Sequence, residues 1–159
     1  MITEKSGLAE LIKKGGVYID VKGSTPKEVL KALIGALDPS SPIPADKLLE
    51  AVLEREDLMS TGIGRGIAIP HPRNPLIKLD SEQFTALAFL EHPVNWNSLD
   101  GEKVDTLLLI VSASARGHLK TLSEINYFCR QENFYRLLKE RAALEEFLIF
   151  IREAEKNWE

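Results

Sequence analysis

The sequence predicts an α/β domain in which helices flank a central mixed, mostly parallel β-sheet. Two observations point to this fold class. Short β-branched or wholly apolar runs are interspersed with segments of helical periodicity. The 159 residues, 44% of them hydrophobic and 28% charged, are also sufficient for one ordinary core. We therefore expect a single domain over residues 1–159, with its core over about residues 17–155.

The first predicted elements are a strand and two amphipathic helices. Residues 17–21 alternate and are rich in β-branched side chains, which is typical of a strand. Thr25, Pro26 and Glu28 then form a helix start signal, because such residues satisfy or avoid the unpaired N–H groups of a first turn. The helix continues with one apolar stripe: Val29, Leu30, Leu33, Ile34 and Leu37. A second helix is predicted from Ala45 to about residues 55–57.

The rest of the chain combines a glycine-rich loop with further strands and helices. Three glycines within residues 60–66 predict a specialised loop, since glycine adopts backbone conformations that other residues avoid. Three apolar runs are typical of buried strands: residues 67–69, 84–90 and 104–111. The third run is expected at the centre of the sheet. Helical periodicity starts near His118 and returns in two later stretches, around residues 134–138 and 144–151.

Charge and cysteine content exclude several classes of protein. Lysine and arginine total 20 against 24 acidic residues, for a net charge of −4, so we expect neither nucleic acid nor an anionic membrane as a partner. The single cysteine, Cys129, cannot form an internal disulfide or a multi-thiolate zinc site. No apolar run approaches the roughly 20 residues of a membrane-spanning helix, and residues 1–16 do not resemble a signal peptide. We expect a cytoplasmic protein without membrane insertion.

Three side chains are candidates for chemistry. His71 lies between Pro70 and Pro72, which restrict the backbone but leave the imidazole free. His118 follows the most buried predicted strand, at the sheet edge where α/β proteins bind ligands and where a helix start offers N–H groups to an anion. Arg55 ends a helix that leads into the glycine-rich loop. Each also has an ordinary interpretation: a loop histidine, a residue that begins a helix, and one member of a solvated charge cluster.

Phosphoryl transfer is a chemistry that these three groups could carry out. A neutral imidazole can attack phosphorus in line, while a second imidazole and a guanidinium neutralise the charge on the oxygens. The glycine-rich segment has neither the spacing of a dinucleotide-binding loop nor the ending of a P-loop. Neither histidine has the spacing of a metal ligand. We therefore expect no cofactor and no metal.

Residues 55–71 read REDLMSTGIGRGIAIPH and closely resemble the active-site signature of one family. This is the fructose/mannitol-type (type 2) enzyme IIA domain of the bacterial phosphotransferase system, which includes a nitrogen-regulatory branch. The family also has a His-Leu pair opening a later helix, as His118-Leu119 does here, and the resemblance extends from about Val17 to the C-terminal helices. It implies a mixed-sheet α/β domain in which His71 accepts a phosphoryl group on Nε2 from HPr or an HPr-like phosphocarrier. It further implies that His118 hydrogen-bonds this group and that Arg55 stabilises its charge.

Two functions are compatible with this resemblance. In the first, the chain is a phosphotransferase that passes the group from His71 to an enzyme IIB domain during uptake of a sugar or polyol. In the second, it is a stand-alone nitrogen-type regulator whose phosphorylation state controls its binding to target proteins. The lack of a fused permease or IIB segment favours the second as an expectation. A degenerate domain is the least favoured, because His71, His118 and Arg55 are all present.

One segment departs from the family. Residues 72–75, Pro-Arg-Asn-Pro, stand where many members have glycine or another small residue after the active histidine. Arg73 is expected either to add positive charge near the phosphoryl group or to face an acidic partner. Partner docking is expected at an apolar rim formed by Met59, Ile63 and Leu76, because transient complexes use small surfaces with a few apolar anchors.

Overall fold

A computed structural model describes residues 7–38 and 42–157 of the protein. These residues include five strands: β1 (Val17–Val21), β2 (Gly62–Gly64), β3 (Ile67–Ala68), β4 (Phe84–Val94) and β5 (Val104–Val111). They also include six helices: α1 (Leu8–Gly15), α2 (Pro26–Ala36), α3 (Ala45–Leu58), α4 (Ala115–Cys129), α5 (Glu132–Lys139) and α6 (Leu144–Glu155). The predicted domain over residues 1–159 also contains residues 1–6, 39–41 and 158–159, which lie outside this description. No helix within the described ranges is both long enough and apolar enough to cross a bilayer.

The five described strands form one mixed sheet in the order β1-β4-β5-β3-β2. The pairs β1–β4 and β3–β5 are parallel, whereas β4–β5 and β2–β3 are antiparallel. The predicted mixed sheet flanked by helices is confirmed, and parallel pairs make up half of its strand pairs. The predicted central position of the 104–111 strand is also confirmed, because β5 is the third of the five strands.

Helices cover both faces of the sheet and produce two apolar clusters. Helices α2 and α3 pack on one face, against Leu107 and Leu109 of β5. Helices α1, α4, α5 and α6 pack on the other face, against Leu108 and Ile110 of the same strand. Successive side chains of a strand point to opposite faces, so a strand covered on both sides must be apolar throughout. This explains the uninterrupted apolar run at residues 107–111 of β5.

The start of α2 follows its sequence signal closely. The N–H group of Glu28 donates to Thr25 Oγ1 at 3.2 Å, and Pro26 is the first helical residue. The Glu28 carboxylate accepts from the N–H group of Ser24, the residue before the cap, at 2.8 Å. Both bonds satisfy N–H groups that the helix itself leaves unpaired.

Helix α1 was not predicted, and it moves the start of the core. Leu8 and Ile12 belong to the apolar cluster on the α4 side of the sheet, and Leu11 is buried as well. The core therefore begins at Leu8 rather than near Val17. The interspersed charges concealed this helix, because Lys13 and its neighbour lie on its exposed face. The helix is only eight residues long, so its pattern repeats over little more than two turns and gives a short periodic signal.

The glycine-rich segment was expected to be a loop, and it is instead a tight hairpin formed by β2 and β3. Arg65 and Gly66 occupy its two central positions with φ angles of 58° and 84°. Two positive φ angles are characteristic of the mirror-image turns that match the twist of paired strands. Gly62 is required for a different reason, because a Cβ atom there would lie 2.0 Å from Ser98 Oγ.

Helix α4 begins at Ala115, three residues before the predicted start at His118. Ser114 caps it, since its Oγ accepts from the N–H group of Gly117 at 3.0 Å. The onset of helical periodicity in the sequence was therefore a poor marker of the helix start. His118 lies at the end of the first turn, where its own N–H group donates to the Ser114 carbonyl at 3.0 Å.

Two glycine substitutions test the packing of α1 against the sheet. A Cβ atom at Gly15 would lie 2.1 Å from the Thr85 carbonyl oxygen, and the backbone of β4 cannot easily yield. Gly15→Ala should therefore lower the free energy of unfolding by roughly 1–3 kcal/mol. Gly35→Ala is the matched control, because a Cβ atom there meets nothing within 4 Å and should stabilise α2 by about 0.5–1 kcal/mol. Urea unfolding measures both, and a neutral Gly15→Ala would contradict this packing.

Candidate active site

The candidate site lies at one edge of the sheet, where β3 and β5 end side by side. The N–H group of Ile110 donates to the Pro70 carbonyl at 3.0 Å, which continues their parallel pairing beyond β3. His71 directly follows Pro70, and the chain after β5 turns into α4, which carries His118. The two imidazole ring centroids are 4.5 Å apart. The structure thus brings together the two histidines that the sequence singled out.

A hydrogen bond to the backbone fixes the orientation of His71. Its Nδ1 atom lies 2.8 Å from the Ile69 carbonyl oxygen. Because a carbonyl can only accept, Nδ1 carries the proton and the lone pair of the neutral ring is on Nε2. Burial lowers the pKa of His71 below 6.5; the bond to Ile69 opposes this decrease, and the nearby charge of Arg55 adds to it. His71 is consequently a neutral base at neutral pH.

His118 is held even more strongly in its neutral form. Burial, the adjacent His71 and the charge of Arg55 together lower its pKa to about 4. Its place in the first turn of α4 acts in the same direction, since the N-terminus of a helix carries partial positive charge. A neutral imidazole retains one N–H group, which can donate to an anion.

Arg55 lies in the last turn of α3, and its side chain is ordered by a bond to the backbone. Its Nη1 atom donates to the Met59 carbonyl at 2.7 Å. The guanidinium lowers the pKa of both histidines, so its charge acts on the same site. Arg55 therefore acts on the two histidines through its charge from the end of α3.

Glu56 fixes the segment that joins α3 to β2. Its two carboxylate oxygens accept from the N–H group and the hydroxyl of Thr61, at 2.8 and 2.7 Å. The Thr61 carbonyl in turn accepts from the N–H group of Ile69 at 3.0 Å. Glu56 is therefore connected to the residue that orients His71, a role that the sequence analysis missed although Glu56 is the neighbour of Arg55.

A pocket of about 400 Å³ opens at the two histidines. Its wall includes the 72–75 segment, Ser112 and the start of α4 at Ser114. Among the described residues that line it, none carries a carboxylate, although the chain has a net charge of −4. Helix N–H groups, imidazoles and hydroxyls in such a pocket favour an oxyanion such as a phosphoryl group.

Gln83 supports the site from a distant part of the sequence. Its side chain is 4% exposed, and its Oε1 atom accepts from the N–H group of Ala113 at 2.9 Å. A Cβ atom at position 117 would lie 2.5 Å from this oxygen, so Gly117 leaves room for the amide. Gln83 thereby holds the turn between β5 and α4. A single glutamine before a strand gives no sequence signal for this role.

The titration of His118 gives a direct test of its environment. Its pKa in the folded chain is about 4, whereas the ordinary value is 6.5. Between these pH values the unfolded chain binds a proton at His118 that the folded chain does not, so folding stability should fall as the pH falls through this window. Histidine NMR signals should show a midpoint near pH 4, and His118→Gln should flatten the pH dependence of unfolding.

His92→Gln is the matched control for this measurement. The His92 side chain is 78% exposed and is not among the residues that line the pocket, so its replacement should leave the NMR midpoint of His118 unchanged. A His118 midpoint close to pH 6.5 would contradict the burial that the structure assigns to this ring.

Comparison with known proteins gives one family. The chain matches the family model described as phosphoenolpyruvate-dependent sugar phosphotransferase system, EIIA 2, over residues 10–154. It is 34% identical over 121 residues to a nitrogen regulatory protein of Pseudomonas aeruginosa, covering 74% of this chain and 77% of that protein. It is 27% identical over 154 residues to the PTS system fructose-specific EIIABC component of Bacillus subtilis, covering 94% of this chain and 24% of that protein.

A solved structure agrees with this result. The crystal structure of nitrogen regulatory protein IIA-Ntr from Neisseria meningitidis superposes with a TM-score of 0.76 at 26% identity, covering 90% of this chain and 97% of that one. The resemblance predicted from residues 55–71 is confirmed by these matches. The chain belongs to the EIIA type 2 family of the phosphoenolpyruvate-dependent sugar phosphotransferase system.

Proposed function

We propose that this chain is a phosphocarrier in which His71 accepts a phosphoryl group on Nε2 from HPr or an HPr-like phosphocarrier. The observation that carries the proposal is the bond between His71 Nδ1 and the Ile69 carbonyl, because it leaves the lone pair on Nε2. Nε2 attacks the phosphorus while the P–N bond of the donor phosphohistidine breaks. The electron pair of that bond returns to the donor imidazole, and the Nδ1 proton of His71 stays in place.

His118 and Arg55 stabilise the transferred group in this proposal. A phosphorylated histidine gains close to two negative charges, which a neutral N–H donor and a guanidinium can both offset. The depressed pKa of His118 supports this role, since a neutral ring keeps one N–H group that can donate to a phosphoryl oxygen. The negative phosphoryl group would then raise the pKa of His118.

The downstream step of the proposal is transfer from His71 to an enzyme IIB domain. Met59, Ile63 and Leu76 are 70%, 41% and 40% exposed, which supports their proposed use as an apolar docking rim. Leu119 is also exposed and lines the pocket, and it extends this rim on the side of α4. Arg73 borders the pocket, but Arg55 is the guanidinium that lowers the pKa of both histidines. Contact of Arg73 with the phosphoryl group and contact with an acidic partner both stay predictions.

A nitrogen-type regulator is the second candidate function. Identity to a nitrogen regulatory protein is 34%, against 27% to a fructose-specific component, and this difference favours it. In that case phosphorylation of His71 would change the charge of the docking rim, and with it the affinity for a target protein. Both candidates use the same phosphorylated residue. The cytoplasmic location stays a prediction from the sequence.

Phosphorylation of His71 can be tested by intact mass. After incubation with phosphoenolpyruvate, enzyme I and HPr, the wild-type chain should gain one acid-labile phosphoryl group, and His71→Ala should gain none. His92→Ala is the matched control and should be phosphorylated like the wild type, because the His92 side chain is exposed and lies outside the pocket. A folded wild-type sample that gains no phosphoryl group from any of several HPr proteins would contradict the proposal.

Transfer from the labelled phosphoprotein separates the two candidates. A carrier should lose its label within minutes to a purified fructose-type or mannitol-type IIB domain, since transfer between phosphohistidine and the IIB acceptor must be rapid and reversible. A regulator should retain the label with all IIB domains offered. Met59→Asp should slow transfer in the first case, because the charge would lie on the proposed docking rim.

A further inference from the structure

Ser112 is the one buried hydroxyl of the described residues that combines two properties: it opens into the pocket and makes no hydrogen bond. It follows directly after β5, and the residue is only 9% exposed. It nevertheless lines the pocket together with His71 and His118. The hydroxyls of Thr85 and Ser98 also have no partner, but they are sealed from solvent. Ser112 is not among these sealed groups, so its hydroxyl remains available to a ligand.

The backbone places Ser112 beside His71. The bond from the Ile110 N–H group to the Pro70 carbonyl aligns the two chain segments, so His71 is one residue beyond this bond and Ser112 is two. The other serine of the pocket has a structural task, because Ser114 Oγ accepts from the N–H group of Gly117 at the start of α4, although its O–H group can still donate. Ser112 therefore supplies a hydroxyl that no structural task consumes.

An unpaired hydroxyl at the wall of a pocket takes water or a ligand as its partner. A phosphoryl group offers three acceptor oxygens, and a hydroxyl can donate to one of them while the His118 N–H group and the first turn of α4 face the others. Gln83 fixes Ala113, the residue after Ser112, so the hydroxyl does not have to be reorganised when the group arrives.

We propose that the Ser112 hydroxyl donates a hydrogen bond to a phosphoryl oxygen on His71 and so contacts the group during its transfer. This inference rests on the proposed phosphorylation of His71 and adds a residue to that site. The proton stays on Ser112 Oγ, and no bond is made or broken at this residue. The bond strengthens as charge develops on the phosphoryl oxygens, so it accelerates transfer to His71 and stabilises the product.

The test compares Ser112→Ala with Ser112→Thr, which keeps the hydroxyl, and with Ser98→Ala, which removes a hydroxyl outside the pocket. Single-turnover transfer from phosphorylated HPr should slow at least tenfold in Ser112→Ala, as expected for one hydrogen bond to a charged group. Transfer in Ser112→Thr and Ser98→Ala should stay within about threefold of the wild type, the usual context dependence of such interactions. Thermal unfolding should be unchanged or improved in Ser112→Ala, because no protein partner loses a bond.

A second measurement distinguishes contact with the phosphoryl group from a structural effect. Phosphorus NMR should show a higher pKa for the phosphoryl group of Ser112→Ala, since a lost donor disfavours the dianion. Equal transfer rates and an unchanged phosphoryl pKa in a phosphorylated Ser112→Ala would overturn the inference and leave the proposed function intact. Failure of the wild type itself to become phosphorylated would overturn both.

Discussion

The candidate site depends on one backbone hydrogen bond, from the Ile110 N–H group to the Pro70 carbonyl. Strand β3 is only two residues long, so its own pairing with β5 cannot fix the direction of the chain that follows. Pro70 has no N–H group and can take part in the sheet only through its carbonyl. The bond uses that carbonyl, and the bond from Ile69 to Thr61 holds the other side of the segment. His71 therefore leaves the sheet in a defined direction, with its ring oriented by the carbonyl of Ile69.

The same alignment creates the electrostatic character of the site. Two imidazoles are buried against each other near a guanidinium, and each of these conditions disfavours a protonated ring. The pocket wall adds the charge of the exposed Arg73 and the partial charge of the α4 N-terminus, and none of the described residues of this wall carries a carboxylate. Arg55 acts on both rings from outside the wall. A site of this kind attracts an anion without holding one permanently. The proposed phosphoryl group supplies the missing negative charge, so its arrival changes the sign of the surface around His71.

The sequence located the catalytic candidates better than it located the elements that support them. His71 and Arg55 belong to one continuous motif, and His118 follows a recognisable buried strand, so local pattern was sufficient to single out all three as candidates. Gln83 acts on Ala113, 30 residues away, and Ser112 matters only because the fold leaves its hydroxyl unpaired in a pocket. No local pattern contains such information. Helix α1 was concealed by its exposed charges, and the hairpin of β2 and β3 by glycines that suggested a loop.

Preorganisation explains why these supporting contacts converge on the turn after β5. Gly117 has no side chain, which lets the Gln83 amide approach the helix start. Ser114 caps the first turn of α4 by accepting from the N–H group of Gly117. The turn that carries Ser112 is thus fixed from the strand side and from the helix side before any ligand is present. Fixed donors need no reorganisation during a reaction.

A reversible carrier also needs donors that bind its group only moderately, because a group that is bound too tightly would not be passed on. A neutral imidazole and a hydroxyl meet that requirement better than a second buried guanidinium would. This pocket offers the weaker donors, His118 and Ser112, whereas its charged side chain, Arg73, is exposed.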